Sequence, residues 1–201
     1  MDLAVAGASK CRPGNDGASS APLTGPGPSV TAHYHLDLQE HRRRQDTGLR
    51  GVTDLSILDT LLSLPLDADI PVESITQRTL RITSRLPSGA VARTDRTIRR
   101  LVQAPLRVNQ VTVQVRSGWS SPLHRVLEFS QLAERALLCA TPPKDEQLLE
   151  ASFHGVGVAV PDRGEWAWLV EPTPFVVRQH SAARWAFAEK VYEMHLARSA
   201  G

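Results

Sequence analysis

Apolar residues recur along this chain in two rhythms, and the rhythms sort most of it into helices and strands. Leu55, Leu58, Leu61 and Leu62 share one helical face, with Thr53 or Asp54 as the N-cap and Pro65 as the stop. Val111, Val113 and Val115 instead alternate with Thr112, Gln114 and Arg116, the period of two that a half-buried strand imposes. A loop from Ser117 to Pro122 follows, and Leu123, Val126, Leu127, Leu132 and Ala133 then trace an amphipathic helix. The run Ala136-Leu137-Leu138-Cys139-Ala140, closed by Pro142-Pro143, suits a strand covered on both faces. Residues 145–153 read as a second helix, 155–160 as a third strand and 165–170 as a fourth. A last helix over 182–197 turns Trp185, Ala188, Val191, Tyr192 and Leu196 inward.

Upstream the pattern decides less. Residues 32–38 (AHYHLDL) read as a short strand. Across 67–88 two periods compete: Thr79 to Thr83 alternates like a strand, whereas Ile75, Thr79 and Ile82 fit one helix face, and Leu86 to Gly89 is turn material. Residues 91–103 read as a basic helix with Val91, Thr94, Ile98, Leu101 and Val102 inward, ended by Pro105. The first 30 residues are rich in Gly, Ala, Ser and Pro, without periodicity, and predict a disordered tail. Strands alternating with helices predict an α/β (α+β) domain, a mixed central sheet flanked by helices and joined by right-handed crossovers. The expected division is a tail over 1–30, an N-terminal part or small basic helical subdomain over 31–105, and an α/β core with the C-terminal helix over 106–201.

At 201 residues and 41% hydrophobic, the chain can bury one sizeable core or two small ones. Cys11 and Cys139 give neither a disulfide framework nor a metal-ligand spacing, which fits a reducing cytoplasm. No apolar run is long enough to span a bilayer and the N-terminus has no secretory pattern, so no membrane partner is expected. The net charge of +2 hides an asymmetry: nine arginines and two acids fall between Glu73 and Arg116, which is +7 there and −5 elsewhere. A positive tract of that kind suits an acidic partner, with nucleic acid, DNA first, as the leading candidate and a protein partner or a homodimer as the alternatives. Within it Arg93, Arg96, Arg99, Arg100, Arg107 and Arg116 are the candidate phosphate contacts.

The segment 109–170, with its runs VTVQVRSGW, AERALLCATP and GVGVAV, resembles the second half of the PD-(D/E)XK nuclease superfamily, the restriction-endonuclease-like proteins. There an acid-x-Lys strand is followed by helix, strand, helix and a Gly-Val-Gly strand. The resemblance implies a divalent-metal site in which carboxylates hold the ion and a lysine orients the attacking water. In this chain Gln114 stands at the acid position and Arg116 at the lysine position. Gln114 offers a neutral amide oxygen, and Arg116 keeps its proton near neutral pH. The remaining acid would be Asp95, which lies in the segment read as a basic helix. The resemblance therefore implies a nuclease-like protein without catalysis and without a cofactor. Its alternative is a Mg²⁺-dependent nuclease using Asp95, Gln114 and Glu128.

A second alternative comes from Asp95 to Leu101, which resembles the recognition helix of helix-turn-helix regulators, so that residues 54–103 would form a winged or helix-turn-helix module. Other constellations carry less. His33-x-His35 beside His41 lacks further metal ligands, Ser120 or Ser121 with His124 and Glu128 lacks a nucleophile elbow, and Gly155-Val156-Gly157 opens a strand instead of following one. Trp119, Trp166, Trp168 and Trp185 read as core or edge aromatics.

Overall fold

The chain builds one compact unit, leaves it, and returns: Met1–His35 and Val108–Val176 form the first unit, Leu36–Arg107 and Val177–Gly201 the second. The computed structural model describes residues 10–11, 18–23, 25–87, 89–177 and 179–199. Element numbers follow chain order. The expected α/β class with a mixed sheet is what the chain adopts.

The first unit carries a mixed sheet of β1 (Lys10–Cys11), β2 (Ser19–Leu23), β3 (Val30–Leu36), β7 (Leu106–Val115), β8 (Glu134–Cys139), β9 (Gly157–Asp162) and β10 (Glu165–Val170), in the order β1-β10-β9-β8-β7-β3-β2. Strands β7, β8 and β9 run parallel, with Val111 opposite Arg135 and Ala136 opposite Gly157. Two helices make the crossovers, α4 (Ser120–Leu127) and α5 (Asp145–Phe153). Val111, Val113, Leu137, Val158, Leu123 and Val126 are buried and form the packed layer that the valine rhythm anticipates. Strand β9 opens on a glycine for a reason of space: a Cβ at Gly157 would lie 2.8 Å from the Pro172 ring. Part of the expected tail is ordered, since β2 pairs with β3 from Ser19↔Tyr34 to Leu23↔Val30 and Ala21 is fully buried. Residues 1–9 and 12–17 of that tail lie outside the described residues.

The second unit contains α1 (Leu38–Thr47), α2 (Leu55–Leu62), β4 (Asp69–Pro71), a 3-10 turn (Val72–Ser74), α3 (Gln77–Thr83), β5 (Val91–Arg93), β6 (Thr97–Arg100) and α6 (Ala182–Ser199). Its three strands form an antiparallel sheet in the order β4-β6-β5. Leu49, Val52, Leu58, Leu61, Ala90, Val102 and Trp185 make its core, and α2 packs on both α3 and α6. The C-terminal helix thus belongs with residues 36–107, a correction to the expected grouping with the nuclease-like core. Its Trp185 clusters with Leu58 and Leu61 of α2.

A larger correction concerns residues 91–103. They form a hairpin and its exit, not a basic helix. Val91, Ile98 and Val102 satisfy a helical spacing, but the turn chemistry between them prevails: Thr94 N donates to Thr97 O at 2.9 Å, and Thr94 Oγ1 accepts from Thr97 N at 3.0 Å and Arg96 N at 3.3 Å. Ile98 then points into the core opposite Ile70, with Thr97 and Arg99 on the other face of the strand.

Candidate nucleic-acid interface

Helix α3, the turn after it and the β5–β6 hairpin carry five of the exposed arginines of the second unit, Arg78, Arg81, Arg85, Arg93 and Arg96; Arg42, Arg50, Arg107 and Arg198 are exposed elsewhere in it. Thr76 opens α3 by accepting Thr79 N at 3.2 Å, a standard N-cap contact, and Thr83 closes it from inside, donating from Oγ1 to Thr79 O at 2.9 Å. Leu80 and Ile82 are half-buried. Gln77, Arg78, Arg81 and Arg85 are exposed. Positions 78, 81 and 85 fall on one side of a helix and the turn that continues it. At the hairpin tip Arg93, Asp95 and Arg96 are exposed as well.

The arginines singled out from sequence therefore divide. Arg93 and Arg96 stand at the tip. Arg99 lies on β6 directly opposite Asp69, donating from Nε to Asp69 Oδ1 at 2.9 Å and from Nη2 to Oδ2. Arg100 is half-buried and turned toward the core: its Nη1 donates to Leu61 O at 2.8 Å and its guanidinium lies 5.5 Å from the Trp185 ring centroid. Burial lowers the Arg100 pKa from its ordinary value, with Asp67 acting in the opposite sense. Arg107 is exposed at the start of β7, and Arg116 is exposed in the first unit. Gln77, Arg78, Arg81 and Arg85 are not among the candidates that the sequence singles out. The signal for them is the Thr76 cap together with the helix period of Ile75, Thr79 and Ile82.

In the first unit, Gln114 ends a stripe of polar side chains on β7. Gln110 Nε2 donates to Glu134 Oε1 at 2.8 Å, and His33 Nε2 and Thr112 Oγ1 share a hydrogen bond at 3.0 Å. Burial raises the Glu134 pKa, with the Gln110 bond opposing, and burial lowers that of His33. Gln114 and Arg116 are exposed, with Arg116 Nε 3.4 Å from Gln114 Oε1. Asp95 belongs to the hairpin of the second unit, so the three remnant positions are not members of one compact unit. Glu128 is engaged by Arg125 at 2.5 Å. Among the described residues no three of His, Cys, Asp and Glu gather as a ligand set for a metal ion.

Ser120 and Ser121 begin α4, with His124 one turn on, and Trp119 occupies the N-cap without a side-chain capping bond. Trp119 Nε1 donates to Glu150 Oε2 at 2.7 Å. No helix of the described residues is long and apolar enough to cross a membrane. Comparison of the chain with family models, with curated proteins and with solved structures finds no match.

Proposed function

We propose that the protein binds nucleic acid, duplex DNA in the first instance, through α3 and the β5–β6 hairpin of its second unit. On this reading the first unit is a nuclease-like α/β module that works without catalysis, as a scaffold or regulatory part, in a reducing cytoplasm. The observation that carries the reading is the joint display of exposed Gln77, Arg78 and Arg81 on one helix, of Arg85 in the turn that continues it, and of Arg93 and Arg96 on the hairpin that follows.

Support comes from the order of elements. Helix, strand, short helical turn, helix and hairpin, with the sheet ordered β4-β6-β5, resembles the arrangement of a winged helix-turn-helix module. In such a module one short helix offers side chains to base edges while flanking cations hold phosphates. The role falls to α3 and not to residues 95–101, which form the hairpin. For the first unit, support comes from the strand-helix-strand-helix-strand order of β7, α4, β8, α5 and β9, which follows the nuclease-like pattern, and from Gln114 and Arg116 at the positions where the pattern has an acid and a lysine.

Paired replacements test the proposal. Arg78→Gln with Arg81→Gln, and separately Arg93→Gln with Arg96→Gln, are each expected to weaken duplex binding and to lower the slope of log K against log salt by about 0.9 for each phosphate no longer neutralised. Binding with an unchanged slope in both pairs contradicts it. Cleavage of plasmid with Mg²⁺ or Mn²⁺, abolished by Gln114→Ala, would instead establish the nuclease alternative.

A further inference from the structure

Arg99 stands in the same hairpin as Arg93 and Arg96, yet it is not presented as they are. Its guanidinium meets the Asp69 carboxylate with two parallel bonds, and the two residues sit directly opposite each other in the β4–β6 register. This is the fork-to-carboxylate geometry that an arginine offers equally well to a phosphate. Both side chains remain substantially open to solvent, 43% for Arg99 and 47% for Asp69, so the pair lies at the surface and not in the core. The third residue of the row, Ala92 on β5, is exposed and too small to cover the guanidinium. Along β6 the outward positions are Thr97 and Arg99, which share a face with Asp69 and Ala92, whereas Arg93, paired with Ile98, starts from the other face of the hairpin.

We propose that Asp69 is a built-in anion that occupies Arg99 in the free protein and competes with a nucleic-acid phosphate for it. The inference rests on the DNA-binding reading above and adds a residue that tunes it. An exposed pair is weak enough to be exchanged, since solvent and salt screen it. When phosphate takes the place of the carboxylate, Arg99 joins the hairpin arginines as one more cation on the backbone, and Asp69 turns to solvent. The affinity of the free chain is thereby held below what its arginine count allows.

The test is a double-mutant cycle read on binding of the full chain to a short mixed-sequence duplex DNA at several salt concentrations. Asp69→Asn keeps the shape of the side chain and removes its charge. It is expected to raise affinity about fivefold at low salt and to steepen the salt slope by about 0.9, the increment of one further neutralised phosphate. In the Arg99→Gln background the same Asp69→Asn change is expected to gain less than about twofold, because the guanidinium it would release is gone. An equal gain in both backgrounds assigns the effect to general charge and overturns the proposal, as does no gain in either. Absence of duplex binding by the wild type and by Asp69→Asn alike overturns this inference together with the DNA-binding reading, whereas binding that depends on Arg78 and Arg81 but ignores Asp69 overturns this inference alone.

Discussion

Glu134 shows at the scale of one residue how burial and chemistry trade. Its carboxyl is half-buried on β8 and receives the Gln110 amide, but the loss of hydration outweighs that bond and raises its pKa. A raised value means that the folded state holds the proton more tightly than the unfolded state does. The stabilisation from the protonated form is complete below the unfolded pKa of about 4.3 and is lost as pH rises through the folded value. Glu134→Gln keeps an acceptor for Gln110 and removes the charge. The variant is expected to match the wild type in urea unfolding at acid pH and to exceed it progressively toward neutrality; a stability difference that does not change with pH counts against this. Single residues are also where the sequence is least explicit about role. An arginine among arginines looks the same whether it faces Trp185 and the Leu61 carbonyl, as Arg100 does, meets a carboxylate across the sheet, as Arg99 does, or stands at a hairpin tip, as Arg96 does.

At the scale of elements, hydrophobic period finds the helices and strands whose buried faces are apolar. The strand at Val111 to Val115, the helix at Leu55 to Leu62 and the segments 145–153 and 165–170 are legible for that reason. Helix α1 escapes because its buried positions are Glu40 and Arg44. Its punctuation is nonetheless present: Asp37 accepts Gln39 N and Glu40 N, and Gly48 closes the helix at φ 66°. What replaces an apolar face is a closed ionic network. Arg44 donates from Nε to Glu40 at 2.7 Å and from both Nη atoms to Glu189 of α6 at 2.7 Å, while Glu189 also accepts Trp185 Nε1 at 2.7 Å and Val52 N at 3.1 Å. Every partner is satisfied, which is the condition under which buried charge is tolerated. Glu189→Ala leaves Arg44 buried with one of its two carboxylates and is expected to cost about 3–5 kcal/mol in urea unfolding. A cost below about 1 kcal/mol would mean that the network relaxes to water. The hairpin is illegible for the opposite reason. Its apolar spacing fits a helix, and the turn is set by the Thr94 hydroxyl and by the backbone bond from Thr94 N to Thr97 O.

For the molecule as a whole, composition divides the chain more truthfully than contiguity does. The arginine-rich stretch lies largely in the unit built from Leu36–Arg107 and Val177–Gly201, whereas the parallel strands β7, β8 and β9 lie almost wholly in the unit built from Met1–His35 and Val108–Val176. Sequence order hides this, because a unit made from two separated segments leaves no single boundary to read. The remnant positions Asp95, Gln114 and Arg116 look like one motif along the chain but belong to two units. The most direct test of the DNA-binding reading is a titration of isotope-labelled full-length protein with duplex DNA, followed by amide chemical shifts residue by residue. The largest changes are expected within 76–85 and 93–99, with little change at Gln114 and Arg116. Changes centred on 114–121, or none at saturating duplex and low salt, would contradict DNA binding through α3 and the hairpin.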